Sequence, residues 1–578
     1  MTKDTFEPMV YTLVTLAVSD KRFCLSIAKH DKFLVPEARL KATPPNEMML
    51  RMMGLRAIEG AGIAGAAIEH QTILGRVLRF ATDPLDPKLM AMFKNAHHES
   101  RVVMDGNISH LRTMNLTVQN YGHDLMMSLL KAGKESKEKT MRWVTETIAY
   151  NAEAEKGRPS LLIASSDGFR NNFAAIMLRI CRPVISDIEK LKKVDWNYLQ
   201  SEEALTIFKS DSTKLAPKSL CEDAMEESPG KEFNFITQSF FMTWRAIHLG
   251  PAQQCSGYIN ILRMLNHFRD GLESGEPRAF HALLQKICID VNLLAQTMLS
   301  DLVQYSSMAS EALLMMLDDG FQDSREWYQS EKNITRDSRR LLTIIPEHFL
   351  EDIFDVLLFV AKMESSAFLL HSLSPVLSLI VYFLRRPGAV TSPHLRAKFG
   401  QALYFIFLPV SARGPNAERW SGSRPVDGAF TELLFNTKSA QDYLAPALLL
   451  LYGDVERTGF YEKLQNRQAI MVVLKHLWTL SSHRPAFRGI AAVEGATADE
   501  NYFVRFANGL LNETNSLVSS TIELLHAIKQ TQRLMASTEW TAMTEERQNE
   551  AREEFSRQEN ECKVKVTDTC KRIHFYLL

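Results

Sequence analysis

The chain has 578 residues, which is too long for one ordinary hydrophobic core, so its length predicts several domains or one extended, repeat-like body. Its composition, 46% hydrophobic and 23% charged, is typical of a soluble protein. Because 67 basic residues are balanced by 68 acidic ones, binding to nucleic acid or to an anionic membrane surface through bulk electrostatics is disfavoured.

The cysteines indicate a reducing compartment, and the apolar segments resemble neither a secretory signal nor a membrane span. The seven cysteines are odd in number, far apart in the chain and without a C-x-x-C pair, which favours free thiols. The N-terminus has only a short apolar run after an acidic start, unlike a secretory signal. The most apolar region, Leu357 to Leu384, is interrupted by Lys362, Glu364 and His371 and is not expected to span a membrane. We therefore expect a cytoplasmic or nuclear protein.

Near the N-terminus, the stretch EGAGIAGAAIEH (59–70) places Gly60, Gly62 and Gly65 in the G-x-G-x-x-G spacing of dinucleotide-binding loops. Asp83 lies at about the right distance to bind a ribose. The segment GLRAIE before the glycines, however, is charged where a buried apolar strand is required. An NAD-dependent enzyme using these glycines is therefore a less favoured alternative function.

Further along the chain, helical periodicity dominates. Apolar residues recur at i, i+3, i+4 and i+7 within 173–180, 353–360 and 470–478, which predicts amphipathic helices. Alternating strand patterns bounded by tight turns are absent from the sequence. We therefore predict an almost entirely α-helical chain, without the sheet that a dinucleotide site would need.

Local signals predict where several helices begin and end. Ser166 and Asp167 can cap the helix that follows them, and the Leu249-Gly250-Pro251 triplet is typical of a helix end. Two long polar segments, Lys214 to Lys231 and Ser411 to Asp427, are predicted to be loops.

The charged segment at 545–559 is predicted to be a solvated helix. Few of its residues are apolar, and Glu553 and Arg557 stand at the i, i+4 spacing of an ion pair. A solvated helix explains the segment better than an acidic or basic binding tail.

The sequence contains no serine-hydrolase, phosphate-loop or zinc-protease motif. Adjacent His97 and His98 with Glu99 are interpreted as a surface pair rather than metal ligands, because neighbouring side chains point to different sides of a helix. Cys562 and Cys570 lack partners at zinc-binding spacing and are interpreted as plain thiols.

A group of acids and one histidine are of the residue types that serve as acid–base catalysts. Carboxylates in the first turns of a helix interact favourably with its dipole, and a histidine near a helix end is typically a core or capping residue. We therefore expect no catalytic role for Glu347, Glu351, Asp352, Asp355 or His248.

Seven stretches in chain order resemble the core region of the U-box ubiquitin chain-elongation factors, the E-four class of ubiquitin conjugation factors. The first has the family's L-G followed by a D-P-x-x-x-x-x-F pattern, the second has its S-D-G-F element, and the third, fourth and fifth are the strongest matches. The stretches are Glu69 to Phe93, Ala164 to Val184, Phe233 to Gly250, Ile345 to Val360, Ser392 to Tyr404, Tyr452 to Trp478 and Phe503 to Ile528. The resemblance divides the chain into an N-terminal helical segment, 1–68, and a core domain, 69–578.

The resemblance implies an elongated, solenoid-like stack of armadillo-like helical hairpins. It also implies a ubiquitin-protein transferase that works with a ubiquitin-conjugating enzyme, recruited through a U-box, and extends ubiquitin chains on substrates for proteasomal degradation. Expected partners are ubiquitylated substrates, a segregase AAA ATPase and shuttle proteins with ubiquitin-like domains. No cofactor, metal, nucleic acid or membrane is implied.

The sequence departs from the family pattern in one respect: no U-box motif is found in its 578 residues. We therefore expect this polypeptide alone to be inactive, and a non-enzymatic adaptor is the alternative function. Catalytic, cofactor-binding and metal-binding residues are not assigned, and partner-binding surfaces are unknown. The family-motif residues are expected to be structural, namely Asp167, Trp244, Glu456, Thr458, Gly459, Arg467 and Asn515.

Overall fold

A computed structural model describes residues 3–42, 63–96, 98–152, 163–208, 213–217, 232–268, 276–317, 336–413, 430–455, 460–491 and 502–576. Within these ranges the regular structure is helical, and the one β-type pairing is an isolated bridge between Lys214 and Pro346. The predicted all-α fold is therefore confirmed. The solenoid-like arrangement and the boundary at residue 68 stay predictions.

The described residues form two compact units. The first comprises the described residues up to Leu395 together with Phe430, and the second comprises Arg396–Arg413 with those from Thr431 onward. The α-helices that begin in the first unit are α1 Lys3–Ser19, α2 Lys21–Lys29, α3 Glu37–Leu40, α4 Ala64–Gln71, α5 Ile73–Leu78, α6 Pro87–Met92, α7 Arg101–Ala132, α8 Lys134–Ala149, α9 Asp167–Ile185, α10 Ile188–Leu191, α11 Glu202–Phe208, α12 Phe235–Ile247, α13 Gln253–His267, α14 Pro277–Leu293, α15 Gln296–Leu317, α16 Arg336–Ile344, α17 His348–Met363, α18 Ser374–Leu384 and α19 Pro393–Ala402.

From Arg396 onward, the residues of α19 belong to the second unit. The further α-helices of that unit are α20 Val410–Arg413, α21 Thr431–Asn436, α22 Lys438–Asp454, α23 Phe460–Thr479, α24 Arg484–Ala491, α25 Tyr502–Met535, α26 Thr538–Ala542 and α27 Glu545–Tyr576. Shorter helical turns of other types are the 3₁₀ segments Trp196–Gln200, Ser365–Leu370 and Pro387–Ala389 and the π segments His248–Ala252 and Leu403–Phe407.

The predicted start of α9 is confirmed. Ser166 is its N-cap, and the Ser166 hydroxyl accepts a hydrogen bond from the amide of Phe169 at 3.2 Å. Asp167 is the first helical residue, and its carboxylate pairs with Arg170 one turn later. The cap thus satisfies one of the amides that a helix start leaves without an internal partner.

An aromatic cluster forms much of the core around α12. The ring of Trp244 stacks on Phe349 of α17 with centroids 4.2 Å apart, and its edge meets the ring of Tyr305 at 6.0 Å. Rings of this size bury large apolar areas, and their edge-to-face contacts add directional stabilisation. The other members of the cluster are Trp196, Tyr198, Phe208, Phe240 and Phe241.

The predicted helix end at Leu249-Gly250-Pro251 needs a correction. The α-helix stops at Ile247, but the chain continues through the π-helical turn His248–Ala252 directly into α13. Proline has no amide hydrogen to donate, so it interrupts regular α-helical bonding without forcing a loop here. Sequence signals for a stop and for a π turn are therefore alike.

The charged segment at 545–559 lies within α27, as predicted, and α27 packs along α25. The predicted ion pair is wrong by one position, because Arg557 binds Glu554 at i, i+3 with a donor–acceptor distance of 2.7 Å. Both spacings bring side chains together on a helix surface.

Among the described residues, no single helix combines the length and apolar character needed to cross a membrane. Helices α14 and α15 together are long and apolar enough, but the chain bends by 65° between them.

Candidate functional site

Two histidines and an aspartate come together where the π turn meets α17. The Nδ1 atom of His248 lies 2.7 Å from Oδ1 of Asp352, and the imidazoles of His248 and His348 face each other with centroids 4.2 Å apart. One donor atom from each residue lies within 4.8 Å of the other two. In the part of the chain that the structure describes, this is the one such group of three histidine, cysteine or acidic side chains. We call it the His–Asp cluster.

The His–Asp cluster is poorly solvated and incompletely hydrogen-bonded. The side chain of Asp352 is 7% exposed, and that of His248 is 16% exposed. Neither Oδ2 of Asp352 nor Nε2 of His348 has a hydrogen-bond partner within the described structure. Buried polar atoms are normally paired, so these two atoms mark the cluster as unusual.

Burial also controls protonation in the cluster. It holds the pKa of His348 well below its usual value of 6.5, and repulsion from His248, Arg245 and Lys214 acts in the same direction. It raises the pKa of Asp352 above 3.8, although attraction to His248 opposes this shift. His348 is therefore neutral at physiological pH, with a nitrogen lone pair available.

Packing holds the π turn and α17 in this relation. The stacked rings of Trp244 and Phe349 join α12 to α17 just before the cluster. A Cβ atom built on Gly250 would lie 3.1 Å from the carbonyl oxygen of Arg170 in α9, which is closer than most Cβ contacts, so glycine favours this approach. Arg245, which is 2% exposed, donates from Nε to the carbonyl of Ile207 at 3.1 Å.

The expectations for His248 and the nearby acids are met only in part. His248 is the capping residue at the end of α12, as expected. Glu347 and Glu351 lie at the N-terminus of α17, where the helix dipole favours acids. Asp352, however, is buried and bonded to His248, so the dipole alone does not explain it. Sequence reasoning missed His348 altogether.

Gly65 does not form a dinucleotide site. Its amide donates to the carbonyl of Tyr150 at 3.1 Å, and the next amide, of Ala66, donates to Ile163 at 3.0 Å. Both amides that would have to hold a pyrophosphate are therefore occupied. Gly60 and Gly62 lie outside the described residues, and Asp83 closes a local turn by accepting from the amide of Leu85 at 2.8 Å.

None of the remaining described candidates is a member of the His–Asp cluster. His98 is exposed next to partly buried Glu99, and His97 is outside the described residues, as are Glu456, Thr458 and Gly459. Cys562 is buried and Cys570 exposed on α27. Asn515 is exposed on α25.

A groove of about 400 Å³ lies between α25 and α27 in the second unit. Leu525, Ile528, Phe555 and Val566 give it an apolar lining, and Glu559 adds a charged edge. One face of α25 next to it also exposes apolar side chains at helical spacing, namely Leu511, Val518, Ile522 and Leu525.

Three buried cysteines of the first unit, Cys181, Cys255 and Cys288, are unsuited to nucleophilic chemistry. Burial raises the thiol pKa of Cys181 and of Cys288 to about 12. The pKa of Cys255 is held well above 9.0 by burial and by the charges of Asp355 and Asp352. Because the thiolate is the reactive form, these buried thiols are inert.

Comparison with known proteins gives consistent matches among ubiquitin conjugation factors. A probable ubiquitin conjugation factor E4 of Arabidopsis thaliana is 25% identical over 566 aligned positions, covering 87% of this chain and 52% of the relative. The ubiquitin conjugation factor E4 of Schizosaccharomyces pombe is 23% identical, with 81% and 47% covered. The E4 ubiquitin-protein ligase UFD2 of Saccharomyces cerevisiae is 22% identical, with 66% and 43% covered.

The chain thus spans about half the length of the curated relatives it matches. The family profile described as "Ubiquitin elongating factor core" matches residues 74–575, nearly the whole sequence. This chain therefore belongs to the ubiquitin elongating factor core family.

Proposed function

We propose that this chain is the helical scaffold of a ubiquitin chain-elongation factor, which lengthens ubiquitin chains on substrates that already carry ubiquitin. The family match across residues 74–575 is the observation that carries the proposal. The activated ubiquitin comes from a ubiquitin-conjugating enzyme, and the scaffold contributes position and orientation. Holding two reactants in the right geometry can by itself supply a large part of a rate enhancement.

The buried thiols support this division of labour. A ligase that carries ubiquitin on itself needs an accessible cysteine of low pKa as the nucleophile. Cys181, Cys255 and Cys288 are buried and their pKa values are raised. A scaffold that orients a thioester carried by another protein has no need of a reactive cysteine.

We further propose the partners and setting that the family resemblance implies. These are a conjugating enzyme bound through a U-box, ubiquitylated substrates, a segregase AAA ATPase and shuttle proteins with ubiquitin-like domains. The reaction would direct substrates to the proteasome in the cytoplasm or nucleus. The names of the relatives support the ubiquitin-conjugation step of this proposal.

An elongation assay tests the proposal directly. Purified residues 1–578 are compared with the same residues fused to a family U-box, each with activating enzyme, conjugating enzyme and a mono-ubiquitylated substrate. We expect no chain growth above the enzyme-only background from residues 1–578 and efficient growth from the fusion, because the U-box recruits the charged conjugating enzyme. Robust elongation by residues 1–578 alone would contradict this assignment of roles.

A thioester assay provides the control for the chemistry. Cys570, the exposed described cysteine on α27, is replaced in the variant Cys570→Ser. We expect equal elongation by the fusion with and without this change, and no reductant-sensitive ubiquitin adduct on either protein. If the fusion stays inactive but residues 1–578 still capture the segregase or a ubiquitin-like domain, the adaptor function is the better description.

A further inference from the structure

The His–Asp cluster has the donor set of a transition-metal site. It offers two imidazoles and one carboxylate from the π turn and α17, with one donor atom of each residue within 4.8 Å of the others. Donor atoms around tetrahedral Zn²⁺ lie roughly 3.4 Å apart, since each is about 2.1 Å from the metal. Side-chain rotations that move the donors by about 1 Å would therefore close the site around an ion.

Two polar atoms of the cluster have no hydrogen-bond partner among the described residues, which favours a bound ligand. Oδ2 of Asp352 is without a hydrogen-bond partner among the described residues although its side chain is 93% buried (7% exposed). Nε2 of His348 is likewise without one. A simple structural histidine–aspartate pair would normally satisfy such atoms, because leaving them buried and unpaired is costly.

The chemistry of the donors selects the class of metal. Imidazole nitrogens favour Zn²⁺, Co²⁺, Ni²⁺ or Cu²⁺, whereas Mg²⁺ and Ca²⁺ prefer sites built of oxygen atoms. His248 is still 16% exposed, so the cluster has a route to solvent.

The surrounding charges limit how tightly an ion can bind. Arg245 and Lys214 act on His348 and oppose a cation, whereas Asp355 acts on Asp352 and favours one. With only three protein ligands, a fourth position is left for water or an added ligand. These features fit a reversible site rather than one on which folding depends.

We propose that His248, His348 and Asp352 form a three-ligand site for a borderline divalent transition metal, with Zn²⁺ as the first choice. The bound ion links the π turn after α12 to the first turns of α17. This site is separate from the proposed ubiquitin chemistry, and none of its predicted properties requires a conjugating enzyme.

Cobalt titration tests the site. Residues 1–578 are stripped with a chelator, and Co²⁺ is added while its visible ligand-field absorption is followed. We expect a saturable band at one ion per chain that Zn²⁺ displaces. The variants Asp352→Asn and His348→Gln should each lower the Co²⁺ affinity at least tenfold. His371→Gln is the matched control, since His371 is also partly buried in the first unit but its Nε2 contacts Ser300 at 2.9 Å instead.

Unfolding measurements keep the test decisive if a variant folds poorly. We expect Zn²⁺ to raise the thermal unfolding midpoint of the parent and His371→Gln proteins, but not that of Asp352→Asn, which can keep its hydrogen bond to His248. The proposal would be overturned if the parent protein showed no saturable Co²⁺ band, or if Zn²⁺ did not raise its unfolding midpoint. So would a band of unchanged affinity in folded Asp352→Asn and His348→Gln, because it would place the ion elsewhere.

Discussion

Arg467 shows at the level of one residue how the second unit accommodates a buried charge. Its side chain is 2% exposed, its Nε donates to the carbonyl of Tyr452 at 3.0 Å, and its guanidinium lies 4.6 Å from the centre of the Tyr452 ring. It also forms an ion pair with Glu513, which accepts a hydrogen bond from the Tyr452 hydroxyl at 3.0 Å. These contacts with a carbonyl and an acid are those of a structural residue, as expected for Arg467.

Removing only one partner of this pair should be costly. We expect Arg467→Met to destabilise the second unit by about 3–5 kcal/mol, because it leaves the largely buried Glu513 carboxylate without its cation. Adding Glu513→Gln should recover much of this loss, since the double variant buries no unpaired charge. Hydrogen exchange of the α22 amides measures the local free energy of opening for each member of this double-mutant cycle.

An exposed ion pair in the same unit provides the control. The side chains of Lys563 and Glu559 are 66% and 48% exposed at a 3.0 Å separation. Lys563→Met should cost less than about 1 kcal/mol, because water already solvates both charges. If Arg467→Met costs no more than this control, the buried pair does not stabilise the unit as argued.

His348 should make the stability of the first unit depend on pH. The pKa of His348 is lower in the folded chain than in the unfolded chain. Below about pH 6.5 the unfolded chain therefore binds a proton at His348 that the folded chain does not bind. Stability is therefore fully present above about pH 6.5 and falls as the pH drops, by up to about 1.4 kcal/mol per pH unit for this one group. The raised pKa of Asp352 acts in the opposite sense, from pH 3.8 upward.

The measurement is the thermal unfolding midpoint between pH 7.5 and pH 5, with chelator present. We expect His348→Gln to flatten the decline of the midpoint toward low pH. His123→Gln, at a partly exposed ring beside Asp124, should leave the decline as it is. The same slope in parent and His348→Gln proteins would show that His348 does not titrate differently in the two states.

At the scale of an element, the π turn depends on the close approach of two helices. Gly250 leaves room for the Arg170 carbonyl of α9, which a methyl group would meet at 3.1 Å. The backbone of α9 lies inside the core and cannot move aside as a flexible side chain would. A methyl group at this position therefore has to push the backbone of α9 and the π turn apart by a few tenths of an ångström.

Two glycine-to-alanine variants separate this packing effect from helix propensity. We expect Gly250→Ala to destabilise the chain by about 1–3 kcal/mol through overpacking. Gly257→Ala, six residues past Pro251 in α13 with no atom within 4 Å of its added methyl group, should be neutral or stabilise by up to about 1 kcal/mol. Thermal unfolding of both variants measures the difference, and a Gly250→Ala midpoint at or above that of the parent would refute the close-approach argument.

For the whole molecule, local sequence signals predicted local structure well. The apolar spacing at 470–478 and the cap at Ser166 depend on neighbours within a turn or two. Both helices form as expected, as α23 and α9, although Trp478 at the end of the predicted apolar face is 39% exposed. The His–Asp cluster was not predicted, because His248 and Asp352 are 104 positions apart and meet only through tertiary packing. No periodicity within one helix carries that information.

A π turn holds one more residue than the α-helical turn it replaces, and this gives the segment at His248–Ala252 a consequence for insertions and deletions. Each residue of an α-helix turns the following side chains by about 100°. A deletion inside α12 or α13 would rotate the later side chains by that angle, whereas a deletion within the π turn removes its extra residue and leaves α13 in register with α12. A one-residue gap should therefore be tolerated better within the π turn than within either flanking helix.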